Sequence, residues 1–416
     1  MNFLIESIKQ LIKLIIRFVP QSVKRWMKKS VRSYLVWRVR RKKQIRVVFV
    51  INDLAVWKTE MLYKKMLEHH RFHPILAISP SREDATAHFK LMEYLKERNY
   101  DFVLLETNKT IIQQLPVDIL IYEKPYDGCV SENHIARKHR MNLMVYVPYG
   151  FTNIMEPWSY SQPMYGYLWQ WYQENEICAK ATKSHLPYNS ECVLTTGTPM
   201  MDELSKPKEA YINPWNDTRN RKRIIYAPHH TIGVHHLSGI SYSTFIEYAA
   251  FMLELAKKYS KQTYWAFKPH PLLKDKLVEE WGKDRADCYY LAWEELENAQ
   301  VETGQYIGLF KHSDAMIHDC STFTQEYIYA DKPVMYLLKD NHHTDNLNDF
   351  AKATFNLHVH GKTKQDIEQF VIDIINGKDI MKEERTSFYS NAMIPPHGKT
   401  ACENIINAIL GKEEYA

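Results

Sequence analysis

The 416-residue sequence predicts an α/β protein built from two doubly wound, Rossmann-like halves with a cleft between them. Short runs of β-branched and other apolar residues, such as Ile45–Ile51, are continuous, which is typical of parallel strands covered on both faces. Amphipathic helical stretches separate these runs. The runs fall into two series, divided by a polar, proline-bearing segment over residues 205–223 that we expect to be a surface insertion.

A basic arm precedes the first strand. Residues 1–46 contain seven lysines and seven arginines against one acid, Glu6, whereas the whole chain has a net charge of +5, so the remainder is acidic. Apolar residues recur at helical spacing up to Pro20, and a second basic stretch then carries Trp26 and Trp37. This pattern is typical of helices that lie on anionic headgroups. We expect residues 1–44 to attach peripherally to the cytoplasmic face of the cell membrane. A helix docked on the chain's own body and a nucleic-acid arm are the less favoured alternatives.

The strands and helices are expected in this order. The first series covers residues 45–51, 75–78, 102–105, 119–122 and 143–147, and the second starts near residue 193 and continues at 224–226, 264–267, 315–317 and 334–338. Helices are expected near residues 61–67, 85–98, 245–259 and 321–330, and the aromatic run at 158–172 as core or membrane-edge packing. We expect an acceptor domain at 45–190, a nucleotide-donor domain at 191–375, and C-terminal helices at 376–416 that pack back toward the first domain.

Several site types are excluded by missing signatures. No GxGxxG follows the strand at 45–51 and no GxxxxGK[ST] occurs, so neither a nicotinamide dinucleotide site nor a P-loop is expected. Six scattered cysteines without a CxxC pair argue against a disulfide scaffold and a structural zinc site. We expect no metal site.

The most informative motif follows the strand at 315–317. Asp319, Ser321 and Thr322 are candidate N-cap residues of the next helix, and free N–H groups with two hydroxyls suit a diphosphate. Glu326, one turn inside that helix, is expected to accept hydrogen bonds from ribose hydroxyls. Simple helix capping is the alternative reading of this motif.

Two further turns carry histidines. Two prolines stiffen the turn around His270, beside Lys268, and an imidazole fixed at a strand end suits acid–base work or phosphate binding. Pro228 and His229 follow the strand at 224–226 and are expected to contact the nucleotide or its phosphates. Because adjacent residues of an extended chain point in opposite directions, His229 and His230 are not expected to share a metal ion.

Three more strand ends are expected at the same cleft. Gly197 would allow the backbone to approach a ligand. Tyr149, Gly150 and Thr152 follow the strand at 143–147 and are expected on the acceptor side, and Asp53 is a candidate general base. Such convergence suits a transferase that takes a nucleotide-activated group from the second half and delivers it to an acceptor held by the first.

With these motifs, the second half resembles the CDP-glycerol glycerophosphotransferase family. The resemblance rests on the order and spacing of residues 197–202, 226–228, 268–271, 313–322 and 332–336. It implies a GT-B fold, a CDP-alcohol donor, transfer without a metal or other cofactor, and attachment to the inner membrane leaflet. It also implies that His270 lies near the donor phosphates and that Ser321 and Thr322 are the hydroxyl pair of the phosphate-binding helix.

We therefore expect a membrane-associated transferase of cell-surface glycopolymer synthesis. It would move glycerol-phosphate or ribitol-phosphate from a CDP-activated donor to a lipid-linked or polysaccharide acceptor. A GT-B glycosyltransferase using a nucleotide sugar and a non-catalytic GT-B glycan-binding or scaffold module are the alternatives. They stay open because residues 149–152 lack the histidine of the family's His-Gly-Thr turn, and because His229-His230-Thr231 stands where the family commonly has Thr-Trp-Arg.

Overall fold

The computed structural model describes residues 20–84, 86–105, 112–186, 188–232, 242–304, 306–339 and 344–415. The helix expected up to Pro20 lies outside these residues. Within them, no helix is both long enough and apolar enough to cross a membrane.

Two parallel sheets carry the described chain. The strands of the first sheet are β1 Ile45–Ile51, β2 Phe72–Ile78, β3 Phe102–Leu104, β4 Ile119–Tyr122, β5 Leu143–Tyr146, β6 Gln170–Gln173 and β7 Val193–Thr195, in the spatial order β3-β2-β1-β4-β5-β6-β7. Those of the second are β8 Lys222–Ala227, β9 Thr263–Phe267, β10 Ala299–Val301, β11 Ala315–His318, β12 Val334–Leu337 and β13 Val359–Gly361, in the order β10-β9-β8-β11-β12-β13. All neighbours in the second sheet run parallel. The strand order of this sheet reverses between β8 and β11, which is where ligands bind in open α/β sheets.

Helices connect the strands. They are α1 Gln21–Arg40, α2 Glu60–Glu68, α3 Ala87–Glu97, α4 Pro157–Tyr160, α5 Glu176–His185, α6 Pro199–Ser205, α7 Phe245–Lys258, α8 Leu273–Trp281, α9 Lys283–Glu294, α10 Ile307–Lys311, α11 Phe323–Glu326, α12 Asp349–Phe355, α13 Lys364–Ile375, α14 Lys382–Ala392 and α15 Ala401–Leu410. Side chains fix several starts: Asn175 accepts from the N–H of Cys178 at α5, and Asn348 accepts from that of Ala351 at α12. These bonds satisfy N–H groups that a helix leaves unpaired.

The alternation of strands and helices predicted from the sequence is confirmed, and two details of it are wrong. Val193–Thr195 is the last strand of the first sheet, not the first strand of the second. The helix expected over residues 321–330 is only the four residues of α11 followed by a 3₁₀ turn, Tyr327–Ala330. The segment at 205–223 is mostly exposed, as expected, and the buried Trp215 anchors it by donating its Nε1–H to the carbonyl of Leu309 at 3.1 Å.

The chain divides into two compact units. One comprises Met1–Val147, Gln162–Trp171 and Ile406–Ala416, and the other Pro148–Ser161 and Tyr172–Ile405. The domain boundaries expected at residues 44, 190 and 375 divide the chain by function and stay predictions.

Helix α1 packs one side of its C-terminal half on the first unit. Leu35 and Val39 are buried, and Arg40 donates to the carbonyls of Ala408 and Ile409. Large apolar side chains elsewhere on this helix are exposed: Val23, Trp26, Met27, Val31, Tyr34 and Trp37. The helix is therefore docked along one side and presents apolar groups to solvent along another.

An aromatic core supports the carboxyl ends of β8 and β9. Tyr226 and Phe267, the neighbouring residues near those ends, are fully buried. The Phe267 ring stacks on Trp293 with centroids 5.3 Å apart, and Phe245 packs against Tyr226 at 6.5 Å. Because large rings fill this core, the turns that follow the two strands begin from a rigid base.

Candidate active site

Three turns meet at the point where the strand order of the second sheet reverses. Ile317 pairs with Tyr226, which pairs with Phe267, so β11, β8 and β9 end at the same level. The turns after them contain residues 319–322, 228–231 and 268–271. The backbone N–H of His270 donates to the carbonyl of Pro228 at 3.0 Å, which joins two of these turns directly.

Asp319 joins the third turn to the others. Its fully buried carboxylate accepts from the backbone N–H of His229 at 2.5 Å and from the N–H and hydroxyl of Thr244 at 2.7 and 3.0 Å. Burial raises the pKa of Asp319 to about 6, and these hydrogen bonds oppose the rise. The oxygens thus hold two loops in place, and the predicted contact of Asp319 with the nucleotide stays a prediction.

His229, His230 and His270 form a cluster of imidazoles, here called the histidine cluster. Ring centroids lie 4.3 Å apart for His229 and His230, 4.1 Å for His230 and His270, and 5.1 Å for His229 and His270. The expectation that the two adjacent histidines point apart is wrong. The chain does not stay extended after Pro228 but bends at His230, whose carbonyl accepts from the N–H of Ile232.

Hydrogen bonds fix the tautomers of two of these rings. The Nδ1 of His270 accepts from the backbone N–H of Leu272 at 3.1 Å, so the proton of the neutral ring is on Nε2. The Oγ1 of Thr231 accepts from the N–H groups of Tyr242 and Ser243 and lies 3.0 Å from the Nδ1 of His229. The threonine proton therefore goes to that nitrogen, and His229 also carries its own proton on Nε2.

These tautomers bear on what the histidine cluster can bind. One nitrogen from each of the three rings lies within 4.8 Å of the others, a spacing from which a transition metal could draw ligands. A metal needs a free lone pair, however, and both Nδ1 atoms with fixed tautomers already accept hydrogen bonds. The Nε2–H groups are donors, so the arrangement favours an anion over a cation.

Lys268 is a buried cation beside this cluster. Its side chain is 6% exposed, and within the described part of the chain it forms neither an ion pair nor a hydrogen bond. Burial lowers the pKa of Lys268, and burial with His230 and Lys268 lowers the pKa of His270 to about 3. The imidazole of His270 is therefore neutral at physiological pH, and Lys268 is the cation of the site.

Ser321 and Thr322 begin the short helix α11. Thr322 occupies its N-cap position without a capping hydrogen bond from its side chain. Ser321 lines a small cavity of about 20 Å³, room for about one water molecule, together with Asn153, Tyr242 and Gln325. Asn153 donates to the Oε1 of Gln325 at 3.0 Å, while its buried Oδ1 has no hydrogen-bond partner in the described chain.

The predicted acceptor-side turn lies in the second unit. A Cβ on Gly150 would lie 3.8 Å from the Cγ2 of Thr322, so this turn is next to the start of α11. Thr152 has internal roles: its N–H donates to Glu174 at 2.7 Å and its hydroxyl to Gln173 at 3.0 Å. Tyr149 is half-buried at the start of the same turn.

Backbone conformation and packing both require a glycine at position 197. Its φ is +76°, and a Cβ there would lie 2.9 Å from the Cβ of Ala401 and 3.0 Å from that of Pro395. Nearby, the carboxylate of Asp202 accepts from the N–H groups of Ala401 and Cys402 at 2.7 and 2.8 Å, at the start of α15. The C-terminal segment therefore approaches Gly197 closely, and the predicted approach of a ligand to this glycine stays a prediction.

Glu326 is 4% exposed, within α11. The half-buried Tyr306 donates a hydrogen bond to Glu326, and desolvation with the charge of Glu326 holds the pKa of Tyr306 well above its usual range. Its predicted contact with ribose stays a prediction.

Asp53 lies in the first unit. Its carboxylate accepts from the N–H of Ala55 at 2.9 Å and lies 3.8 Å from the Nζ of Lys124. The sequence reasoning missed two buried carboxylates at strand ends of the first sheet, Glu123 and Glu174, whose pKa values burial raises to about 8 and about 7. A strand ending directly in a glutamate was the available signal, but burial of the side chain cannot be read from it.

Solved structures of low sequence identity share the fold. The S. aureus MnaA–UDP co-structure has a TM-score of 0.59 at 14% identity and covers 90% of this chain and 98% of that chain. UDP-GlcNAc 2-epimerase from Neisseria meningitidis bound to UDP-GlcNAc scores 0.56 at 13% identity, covering 88% and 100%. The wall teichoic acid polymerase TagF soaked with CDPG scores 0.56 at 13%, covering 100% and 99%. These likenesses establish a GT-B-like α/β fold, as expected, and at such identities they show the fold alone.

The fold and the family match together define a transferase. The sequence pattern of the CDP-Glycerol:Poly(glycerophosphate) glycerophosphotransferases matches residues 34–411, nearly the whole chain. The chain belongs to this family. The resemblance drawn from the second half is thereby confirmed, and the match extends it over the first. No curated protein matches the chain.

Proposed function

We propose that the protein transfers glycerol-phosphate or ribitol-phosphate from a CDP-activated donor to a lipid-linked or polysaccharide acceptor. The observation that carries the proposal is Lys268, a buried cation next to imidazoles that present N–H donors. Its side chain forms no ion pair or hydrogen bond in the described chain, and the charge of Glu302 opposes but does not offset the effect of burial, which lowers its pKa. An unpaired buried charge is costly, so such a site favours an anionic ligand that supplies the missing charge. The diphosphate of the donor has the matching chemistry.

In this proposal these groups act on the leaving nucleotide. The acceptor hydroxyl attacks the β-phosphorus of the CDP-alcohol, the bond from that phosphorus to the bridging oxygen breaks, and CMP leaves with the bond's electron pair. Lys268 and the Nε2–H groups of His229 and His270 stabilise the charge that develops on the CMP phosphate. His270 acts as a donor rather than a base, because its pKa of about 3 and its occupied Nδ1 leave it no means of taking a proton.

Other residues position these groups. Asp319 holds the backbone of His229, and Leu272 and Thr231 hold the two rings. The predicted roles of Asp53 as base and of the 149–152 turn on the acceptor side stay part of the proposal.

The leaving nucleotide tests this reaction. Purified protein is given CDP-glycerol or CDP-ribitol with a lipid-linked acceptor, or a nucleotide sugar with the same acceptor, and the released nucleotide is identified by ion-exchange chromatography. The proposal expects CMP release, reduced at least about tenfold in His270→Gln, which loses a charge-assisted contact. His73→Gln, at an exposed histidine of the first unit, is the control. Release of a nucleoside diphosphate from a sugar donor would identify a glycosyltransferase, and no release from any donor would favour the scaffold alternative.

We also propose that the arm attaches the protein to the cytoplasmic face of the membrane. Trp26 is 68% exposed and Trp37 52% exposed on the basic helix α1, and exposed aromatic side chains among lysines and arginines are favoured at the headgroup layer. Cosedimentation with phosphatidylglycerol vesicles, weakened by salt and by Trp26→Ser, is the expected result. Equal binding to phosphatidylcholine vesicles would contradict an electrostatic contribution.

A further inference from the structure

A cavity lies between α1 and the sheet of the first unit. Its volume is about 240 Å³, several times that of a water molecule, and its walls are mostly apolar. Met27, Val31 and Leu35 line it from the helix, and Met144 and Trp169 from the opposite side. Because most of its walls are apolar, the cavity suits an occupant that is apolar over most of its surface and polar only at the rim.

Cations surround this apolar cavity. Lys28, Arg32 and Arg140 line it, and Lys28 and Arg140 each lie 5.0 Å from the centroid of the Tyr167 ring. Within the described residues neither Lys28 nor Arg140 forms an ion pair with a carboxylate. Burial and the charges of Arg140 and Arg32 lower the pKa of Lys28, so Lys28 is repelled by the positive charge beside it.

The cavity is continuous with exposed apolar surface. Met27 and Val31 extend from it onto the exposed side of α1, and Met141, on the opposite wall, is 68% exposed. An occupant that fills the cavity therefore meets apolar groups at the opening and positive charge around it.

We infer that this cavity binds a single anionic phospholipid of the bilayer, with part of an acyl chain inside and the phosphate beside Lys28 and Arg140. The charge of the rim selects an anionic headgroup, and the apolar walls select a hydrocarbon chain. The inference rests on the proposed membrane attachment but names a saturable site, formed partly by residues outside the arm, whereas adsorption to a charged surface needs no such site.

A monomeric lipid separates the two ideas. Dihexanoyl phosphatidylglycerol below its micellar concentration is titrated into the full chain by calorimetry, with dihexanoyl phosphatidylcholine as the uncharged comparison. We expect one site per chain for phosphatidylglycerol and roughly thirtyfold weaker binding of phosphatidylcholine, since Lys28 and Arg140 near the headgroup each contribute about fivefold in affinity. Equal affinity for the two lipids, or no saturable binding, would overturn the inference.

A variant at Gly166 fills the cavity. This glycine lines it, and a Cβ there meets no atom within 4 Å, so Gly166→Leu is accommodated by the fold. The matched control is Gly304→Leu, also with open space around its Cβ and located in the second unit. Gly166→Leu is expected to lose the lipid and Gly304→Leu to keep it, while both retain cytidine nucleotide binding. A Gly166→Leu variant that binds phosphatidylglycerol like wild type would show that the lipid is elsewhere.

The occupant is identified by photocrosslinking. Met141→p-benzoylphenylalanine places the probe at the cavity opening, and irradiation on phosphatidylglycerol vesicles is expected to label lipid. Labelling of residues 1–19 of the same chain, or of a second copy, would assign the cavity to protein and overturn the inference. Failure of wild type to bind vesicles while it still binds the monomeric lipid would instead refute membrane attachment and leave this site standing.

Discussion

Replacing Lys268 with methionine separates ligand binding from folding, because the two are expected to change in opposite directions. Methionine keeps the length and apolar stem of lysine but removes the charge. In the free protein the Lys268 charge is buried without an ion pair or hydrogen bond in the described chain. The charge of Glu302 does not offset the cost of burial, since the pKa of Lys268 is lowered, so the charge destabilises the fold. In the complex the same charge meets a phosphate. The variant should therefore be more stable than wild type without ligand and bind the donor more weakly.

The structure sets the size of both effects. A hydrogen bond to a charged group contributes about 1.5–3 kcal/mol, so the dissociation constant for CDP or CMP should rise roughly 10–150-fold. Removal of the uncompensated charge should stabilise the free protein by about 1–3 kcal/mol, at roughly 2–4 °C in melting temperature per kcal/mol. Burial lowers the pKa of Lys268, so the destabilisation is present below that pKa and disappears as the pH rises toward the value of a free lysine.

Two assays check these expectations. Calorimetric titration with CDP and CMP measures the binding term, and thermal unfolding of the nucleotide-free protein measures the stability term. Lys276→Met is the matched control, since Lys276 is a partly exposed lysine that pairs with Glu279 on α8, and it should change neither quantity by more than about 0.5 kcal/mol. Unchanged nucleotide affinity in Lys268→Met, or a lower melting temperature, would refute the proposal that Lys268 binds the phosphates of the donor.

Three further predictions follow from the second unit. Gly197→Ala should lower the stability of the protein by about 1–3 kcal/mol in thermal unfolding, because of the positive φ and the contact with Ala401. The control Gly304→Ala should have little effect, and both variants should keep their nucleotide affinity. Weakened affinity in a folded Gly197→Ala variant would show that Gly197 contacts the ligand. Burial lowers the pKa of His358 to about 3, so in this pH range the unfolded state binds a proton that the folded state does not, and stability is lost as the pH falls from about 6.5 toward 3. Between pH 6.5 and 5, the free energy of unfolding of His358→Gln should therefore fall by about 2 kcal/mol less than that of wild type. Parallel pH profiles of unfolding free energy for the two proteins would count against this. Chelation with EDTA should leave nucleotide affinity unchanged, because the histidine cluster presents N–H donors; loss of affinity that Zn²⁺ restores would overturn the tautomer assignment.

Much of the fold could be predicted because its signals are local. Continuous apolar runs at 45–51 and 119–122 became buried parallel strands, and the motifs at 226–231, 268–271 and 313–322 came together because their strands are neighbours. What failed depended on distant residues. The residues Val193–Thr195 predict a strand but do not say which sheet it joins, and only its pairing assigns it to the first sheet.

The site was predictable in position and less so in detail. The turn that brings His229 against His270 follows a proline, and its bend at His230 is stabilised by hydrogen bonds that no spacing reveals. A glycine before a proline looks the same whether a ligand or Ala401 approaches it. Likewise, a glutamate at a strand end, such as Glu123, gives no sign that its carboxyl group is buried under two backbone N–H donors.

The position of the last residues has a consequence for the order of folding during synthesis. The carboxylate of Asp202 accepts hydrogen bonds from the N–H groups of Ala401 and Cys402. In the first unit, Arg40 and Gln170 donate hydrogen bonds to the carbonyl of Ala408. Neither unit can therefore complete its hydrogen bonds before residues 401–408 have left the ribosome. At 5–20 residues per second, synthesis up to residue 408 takes roughly 20–80 s, during which the apolar strands need protection from aggregation. Both units should thus acquire their final stability together, once this segment is available, rather than one after the other along the chain.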